Sequence, residues 1–217
     1  MPDLTLYLVT NSTGLEETAF LDIVEQACRG GITLLQLREK EKSGREYYEL
    51  AKKVKRISDR YGIPLLIDDR ADVAAAVDAA GVHLGQSDLP VFAARAQLGR
   101  GKIVGATAKT VPQALRAERE GADYLGVGAI YPTATKVKTV LTPVSTLGDI
   151  CRSVSIPAVA IGGLNAENCG VLKGVPIAGI SVVSAIMKAP DPRRAAGELK
   201  EKALSLVAFG KEIRGNQ

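Results

Sequence analysis

Four short runs of polar and charged residues stand out in this chain, because each follows an apolar segment with the composition of a β-strand. The runs are Gln36–Lys40, Asp68–Arg70, His83–Asp88 and Pro132–Lys136. An apolar strand stabilises a core, but polar residues at the end of one strand after another need a different explanation. If the strands are parallel around one barrel, their ends converge on one mouth. That mouth would hold cations, carboxylates and hydroxyls, which suit a substrate that carries phosphate together with a divalent metal.

The first run contains cationic residues at alternate positions. Gln36, Arg38 and Lys40 are spaced by two, so their side chains point the same way wherever the backbone stays extended. Arg offers a planar fork to diphosphate oxygens, and Lys offers a point charge. The competing interpretation is a solvated charge run, since Glu39 and Glu41 are close by.

The second and third runs place acids at the ends of neighbouring strands. Asp68 and Asp69 end one strand, and Asp88 follows the next. Mg²⁺ takes one or two carboxylates together with phosphate oxygens of a substrate, so these acids are candidate metal ligands. Each acid also has a structural interpretation: the first two could pair with Arg70, and Asp88 could cap the helix that begins near Pro90.

His83 is the single histidine of the chain, and it lies inside a predicted strand. A satisfied interior histidine is therefore favoured over a general base. With no histidine available for acid–base work, the chemistry would depend on the departure of a leaving group.

A second anion site is predicted near the last two strands. Barrels of this kind often bind phosphate in the loops after strands seven and eight, and Gly163 and Ser184 have the required positions. Gly126 and Gly128 would allow close approach to a ligand, and Lys136 with its neighbouring hydroxyls suits phosphate. Two separate phosphate sites imply two phosphorylated substrates.

A regular alternation of short β-rich segments and longer helical segments positions these groups. Strands are predicted at Thr5–Thr10, Thr33–Arg38, Pro64–Asp69, Val82–Gly85, Lys102–Ala108, Tyr124–Ile130, Ala158–Gly162 and Ile177–Ser184. Helices are predicted at Glu16–Arg29, Arg45–Tyr61, Ala71–Ala80, Val91–Leu98, Pro112–Glu120, Val144–Ser153, Ala166–Lys173 and Arg193–Phe209.

The predicted strands are near-continuous apolar runs, which is typical of parallel strands covered on both faces. Eight βα units predict an α/β protein with a single (β/α)8 TIM barrel, as one domain over residues 1–217. An open doubly wound sheet is the runner-up. It would need a glycine-rich fingerprint after the first strand, where this chain has Asn11–Gly14.

The overall composition excludes several classes of protein. The net charge of +4 is small and evenly spread, which argues against nucleic-acid binding. The chain has no apolar run of 18 residues and no basic region leading into an apolar stretch, so we expect neither a membrane span nor a signal peptide. Cys28, Cys151 and Cys169 are far apart and odd in number, and we expect free thiols in a reducing, cytoplasmic compartment. A homo-oligomer is compatible with the sequence.

Taken together, the motifs resemble the thiamine phosphate synthase (thiamine-phosphate pyrophosphorylase) family. The resemblance covers nearly the whole chain through Gln36–Lys40, Asp68–Arg70, Gly81–Asp88, Gly105–Ala108, Gly121–Gly128, Pro132–Lys136 and Ala160–Gly163. It implies a barrel that joins 4-amino-2-methyl-5-hydroxymethylpyrimidine diphosphate to 4-methyl-5-(2-phosphoethyl)thiazole, giving thiamine phosphate and pyrophosphate. The family mechanism is dissociative: pyrophosphate leaves first, and the thiazole nitrogen captures the pyrimidine methyl cation.

The resemblance also implies roles for individual residues. The pyrimidine diphosphate would be held by Gln36, Arg38, Lys40, Asp68, Thr107 and Lys136, of which Lys136, Thr107 and Arg38 are expected to be catalytic. The thiazole phosphate would be held by Thr133, Thr135, Gly163, Val183 and Ser184. Mg²⁺ would be ligated by Asp69 and Asp88.

The chain departs from the family pattern at several of these positions. Asp68 stands where the family usually has Asn, Thr107 replaces the usual Ser, and Lys109 stands where His is common. Three alternatives stay open. A thiazole tautomerase relative predicts no Asp pair and a histidine base near strand five. Another phosphate-binding barrel isomerase would need no Mg²⁺, and a non-catalytic barrel would bind thiamine precursors as a sensor.

Overall fold

The computed structural model of the protein describes residues 1–133 and 140–215, with side chains to residue 210. Over these residues, eight parallel strands close into a barrel in sequence order, which confirms the predicted fold class. The strands are β1 Leu6–Val9, β2 Leu34–Leu37, β3 Leu65–Asp68, β4 Gly81–Leu84, β5 Ile103–Ala108, β6 Tyr124–Val127, β7 Ala158–Ile161 and β8 Gly179–Val182. The helices are α1 Glu17–Gly30, α2 Gly44–Arg60, α3 Ala71–Ala76, α4 Val91–Leu98, α5 Val111–Arg119, α6 Val144–Ser153, α7 Ser184–Met187 and α8 Pro192–Gly215.

The two faces of each strand belong to different parts of the core. On β1, Leu6 and Leu8 point outward into the layer between barrel and helices. Tyr7 and Val9 point inward and pack with Leu34 in the barrel interior. Because both faces are covered, the strand reads as one continuous apolar run rather than an alternation.

Local signals set the ends of the longer helices. Before α2, the Ser43 hydroxyl accepts the backbone N–H of Glu46, whose carboxylate accepts the N–H of Ser43 at 2.8 Å in return. After α1, Gly31 takes a left-handed φ of 95° and its N–H donates to the Cys28 carbonyl. These signals turn the chain back toward the next strand.

Three predicted helices are wrong in extent, the last of them because α8 runs from Pro192 to Gly215 rather than from Arg193 to Phe209. The segment Ala166–Lys173 contains only a short 3-10 helix at Cys169–Leu172. There, the Asn165 side chain accepts the backbone N–H of Asn168, and the Asn168 amide donates to the Gly163 carbonyl, so side chains compete with helical hydrogen bonds.

The prediction of Ala71–Ala80 is also too long. The helix ends at Ala76, because Asp78 adopts a φ of +53° and Ala80 donates its N–H to Leu65 on β3. In addition, the sequence did not reveal α7, whose first residue is Ser184 at the end of the predicted strand Ile177–Ser184.

Two other expectations concern thiols and membranes. The three cysteines are buried and free of disulfides, as the sequence predicted. In the described part of the chain, no helix is both long enough and apolar enough to cross a membrane.

Candidate active site

A cavity at the carboxyl ends of the strands collects the polar residues singled out by the sequence. It is lined by Gln36, Arg38, Lys40, Asp68, Asp69, Asp88, Thr107, Thr133, Gly163, Val183 and Ser184, among others. Two further candidates, Thr135 and Lys136, lie outside the described residues. The fold therefore brings residues from seven different strand ends to one mouth, as expected for a (β/α)8 barrel.

A cluster of opposite charges forms one wall of this cavity. The Lys40 ammonium lies 2.8 Å from Asp68 Oδ2 and also contacts the Asp69 carboxylate. Arg38 Nε lies 3.8 Å from the same Asp68 oxygen. Arg38 is partly buried and Lys40 is exposed, and both cations point at a carboxylate of the cavity, so the run is more than a solvated surface.

The acids of the cavity repel each other and are partly removed from water. Burial raises the pKa of Asp68, and the charge of Lys40 opposes that rise. Burial also raises the pKa of Asp88, with a further contribution from a hydrogen bond and charge repulsion with Asp69. A bound cation would relieve this repulsion.

The structural interpretations of these acids are wrong. Arg70 pairs with Asp72 through contacts of 2.8 and 2.5 Å, not with the acids of β3. The Asp88 carboxylate accepts the backbone N–H of Gly85 at 2.7 Å, and α4 begins after Pro90 without a side-chain cap. The cavity acids therefore have no capping role that would explain them.

A chain of hydrogen bonds crosses the barrel beneath the charged cluster; it is buried from Gln36 to Tyr124 and part-buried at His83 and Thr107, which line the cavity. Gln36 Nε2 donates to the Tyr7 hydroxyl at 2.5 Å, and that hydroxyl lies 2.9 Å from the hydroxyl of Tyr124. The Tyr124 hydroxyl lies 2.8 Å from His83 Nδ1, and His83 Nε2 lies 3.0 Å from Thr107 Oγ1. Both ring nitrogens are satisfied, which confirms the predicted interior histidine. Burial lowers the pKa of His83 to about 4, so the ring is neutral at physiological pH.

Glycines leave the space that these rings occupy. A Cβ on Gly105 would lie 2.2 Å from Cζ of Tyr124, and one on Gly126 would lie 3.1 Å from His83 Cε1. A Cβ on Gly128 would lie 1.9 Å from the Ile161 carbonyl oxygen. The sequence suggested that Gly126 and Gly128 make room for a ligand; both line the cavity, but their missing side chains face protein atoms.

The opposite wall comes from the last strands. A Cβ on Gly163 would lie 2.6 Å from Tyr131 Cβ, so the glycine lets the loop after β7 pack against the loop after β6. Ser184 begins α7 directly behind Val183, which also lines the cavity. The Asn165 side chain accepts the backbone N–H groups of Glu167 and Asn168 in the turn that precedes the 3-10 helix.

Sequence reasoning missed several residues of the cavity, among them Tyr7 and Ser181. Tyr7 and Ser181 were not recognised because their sequence neighbours are apolar. Inward positions recur at every second residue, so Ser181 could have been found from the predicted site residue Val183, which lies two positions further along the same predicted strand. The Ser181 hydroxyl is fully buried and has no hydrogen-bond partner among the described residues. Lys109 also lines the cavity, and its amine donates to the Val140 carbonyl at 2.8 Å.

Comparison with known proteins places this chain among a set of related sequences. A family model described as thiamine monophosphate synthase matches residues 6–186. A protein of Streptococcus pneumoniae named thiamine-phosphate synthase 2 is 56% identical over 188 residues, which cover 87% of this chain and 90% of the relative. A thiamine-phosphate synthase of Methanobrevibacter smithii is 50% identical over 91% of this chain and 94% of its own length.

A solved structure is also similar to this chain over nearly its whole length. Thiamine phosphate pyrophosphorylase from Pyrococcus furiosus superposes with a TM-score of 0.85 and 37% sequence identity. The match covers 95% of this chain and 98% of the other.

Proposed function

Since the chain belongs to the thiamine monophosphate synthase family, it is an enzyme of thiamine biosynthesis, and we propose that it joins 4-amino-2-methyl-5-hydroxymethylpyrimidine diphosphate to 4-methyl-5-(2-phosphoethyl)thiazole. The bond between the pyrimidine methylene carbon and the diphosphate oxygen breaks, and its electron pair leaves with pyrophosphate. The thiazole nitrogen then uses its lone pair to form the new carbon–nitrogen bond. One observation carries this proposal: Arg38, Lys40, Asp69 and Asp88 surround one cavity in a barrel of this family.

The diphosphate half of the site is assigned to the wall made by β2 and β3. The Arg38 guanidinium and the Lys40 ammonium would bind diphosphate oxygens, and Thr107 would add a hydroxyl from β5. In the structure described above, both cations face Asp68, so a bound diphosphate would take over part of the role of that carboxylate.

Asp69 and Asp88 fit a Mg²⁺ ion. Their carboxylates interact closely enough for Asp69 to raise the pKa of Asp88. Among the described residues, no group of three or more His, Cys, Asp and Glu is suited to a metal. Mg²⁺ commonly takes one or two carboxylates and completes its shell with substrate phosphate and water, so two acids suffice. When bound, the ion would supply charge that stabilises the departing pyrophosphate.

The thiazole phosphate is assigned to the opposite wall, with Gly163, Val183 and Ser184, and with Thr133 from the loop after β6. Thr135 stays a prediction for this site, and Lys136 stays a prediction for the diphosphate site. The reaction needs no general base, and this agrees with His83, whose two nitrogens are both engaged and whose pKa is about 4. This arrangement supports a synthase over a tautomerase, which would need a residue that accepts a proton from carbon.

The test is to incubate the protein with both substrates and Mg²⁺ and to measure thiamine phosphate and pyrophosphate together. We expect equal amounts of both products, and none when a chelator removes the metal. The variant Asp88→Asn should lose a hundredfold or more in turnover, roughly, since a metal ion contributes several kcal/mol.

The matched control is Asp72→Asn, which removes an acid that pairs with Arg70 outside the cavity. It should leave turnover unchanged. Absence of thiamine phosphate with the folded wild-type protein would overturn the proposed reaction, and full activity of Asp88→Asn would overturn the assigned metal ligand.

A further inference from the structure

The donor-to-acceptor order of this hydrogen-bond network can be worked out from Gln36, at one end, and from the acceptors available to the tyrosine hydrogens. The Gln36 amide nitrogen can only donate, so the Tyr7 hydroxyl accepts from it. The Tyr124 oxygen, 2.9 Å away, is the acceptor that the described residues offer to the Tyr7 hydrogen; if Tyr124 donated to Tyr7 instead, the buried Tyr7 hydrogen would have no acceptor among them. Tyr124 in turn has only its own hydrogen left for His83 Nδ1, at 2.8 Å.

The direction fixes the protonation of His83. Because Nδ1 accepts from Tyr124, the proton of the neutral ring must sit on Nε2, which donates to Thr107 Oγ1 at 3.0 Å. Thr107 accepts this bond and keeps its own hydrogen for another partner. Thr107 lies on β5 with its side chain at the cavity, so that hydrogen is available to a ligand.

We propose that Tyr7, Tyr124 and His83 are positioning residues that hold the Thr107 hydroxyl as a hydrogen-bond donor toward an anionic ligand of the cavity. The identity of that anion as a diphosphate rests on the proposed function. In the reverse order, the Thr107 hydroxyl would donate its hydrogen to His83 Nε2. Its oxygen lone pairs would then face the cavity and repel an anion. The orientation of the Gln36 amide on β2 thus helps to determine whether Thr107 on β5 presents a hydroxyl hydrogen to the cavity.

Three features of the structure favour this hydrogen-bond network. Both tyrosines have a pKa raised by burial, so their hydroxyls stay protonated and can donate. His83 is neutral, since burial lowers its pKa to about 4. Gly105 and Gly126 leave room for the rings of Tyr124 and His83, and a side chain at either position would disturb the chain.

A variant of Tyr124 can distinguish a positioning role from direct contact with the ligand. Tyr124 is completely buried and does not line the cavity, whereas Gln36 and Thr107 do. The variant Tyr124→Phe keeps the ring and removes only the hydroxyl that links Tyr7 to His83. Tyr48→Phe is the matched control, because Tyr48 lies on α2 with Lys52 over its ring and away from the chain.

The first experiment determines the tautomer of His83 in the free protein by ¹⁵N NMR. The chain has one histidine, so the spectrum contains a single imidazole. We expect the protonated nitrogen to be the one coupled to both ring C–H protons, which identifies Nε2. A proton on Nδ1 would mean that the hydrogen bonds of the network are donated in the opposite order, and it would overturn the proposal whatever reaction the protein catalyses.

The second experiment measures the affinity for pyrophosphate with Mg²⁺ by titration calorimetry. Tyr124→Phe should weaken binding by roughly three- to tenfold, the worth of one hydrogen bond to a charged group, and Tyr48→Phe should not. In a Thr107→Val background, Tyr124→Phe should have no further effect. An equal loss in both backgrounds would show that Tyr124 acts only on the fold, and would overturn the proposal. Loss of product formation with these results intact would count against the proposed reaction alone.

Discussion

Asp68 should weaken the binding of diphosphate, and Asp68→Asn should strengthen it. The carboxylate lies 2.8 Å from the Lys40 ammonium and 3.8 Å from Arg38 Nε, the two cations assigned to the diphosphate. An amide of the same shape removes the negative charge and leaves both cations in place. Because Asn and Asp have nearly the same shape, we expect the site to accommodate the change.

The size of the effect follows from these distances. A phosphate oxygen bound on the far side of the Lys40 ammonium lies about 6 Å from the Asp68 carboxylate. Two unit charges at that separation repel by roughly 2–3 kcal/mol at an effective dielectric constant near 20. Solvent and salt reduce this figure at the exposed Lys40, so we expect a gain of about 1.4 kcal/mol, or tenfold tighter binding.

The assay is calorimetric titration of pyrophosphate with Mg²⁺ at pH 8, well above the ordinary pKa of an aspartate. Glu41→Gln is the control, because it removes an exposed charge that lies on the loop carrying Lys40 but outside the cavity. The difference between Asp68→Asn and wild type should shrink with added salt. It should also shrink on acidification, because the raised pKa lets Asp68 protonate early. Unchanged or weaker binding by Asp68→Asn would refute the electrostatic reasoning, and weaker binding only with Mg²⁺ present would make Asp68 a metal ligand.

Three further predictions concern stability and the metal. His83 has a pKa of about 4 in the folded protein against an ordinary value near 6.5, so its contribution to stability is complete above pH 6.5 and is lost as the pH falls toward 4. Urea unfolding should show a loss of about 2–3 kcal/mol between pH 7 and pH 4.5 that is absent in His83→Gln, and parallel pH profiles would contradict the assignment. Gly105→Ala should destabilise the protein by about 1–3 kcal/mol, because its Cβ would lie 2.2 Å from Tyr124 Cζ, while Gly101→Ala, with open space around it, should have little effect in the same assay. Asp69→Asn should raise the Mg²⁺ concentration needed for half-maximal product formation, and an unchanged metal requirement would remove Asp69 from the metal site.

The fold and one wall of the cavity could be predicted from the sequence because each depends on local pattern. Continuous apolar runs indicated the strands, and the rule that barrel sites lie at the carboxyl ends of strands placed Arg38, Lys40 and Asp88 at one mouth. The segment Ala166–Lys173 failed for an equally local reason. Its apolar residues suit a helix, but the side-chain oxygens of Asn165 and Asn168 accept backbone N–H groups and stabilise turns instead.

The buried chain could not be predicted, because its members belong to strands that are far apart in the sequence. Tyr7 and Tyr124 are separated by 117 positions and look like ordinary core residues, since tyrosine in an apolar strand is common. Only closure of the barrel brings their hydroxyls together, and only the glycine at position 105 leaves space for the ring of Tyr124. An outward-facing residue contributes mainly to packing against helices, and an apolar residue of similar size can serve there. An inward-facing polar residue must instead find a partner across the barrel, so the interior positions of β1, β4 and β6 are constrained by hydrogen-bond direction as well as by volume.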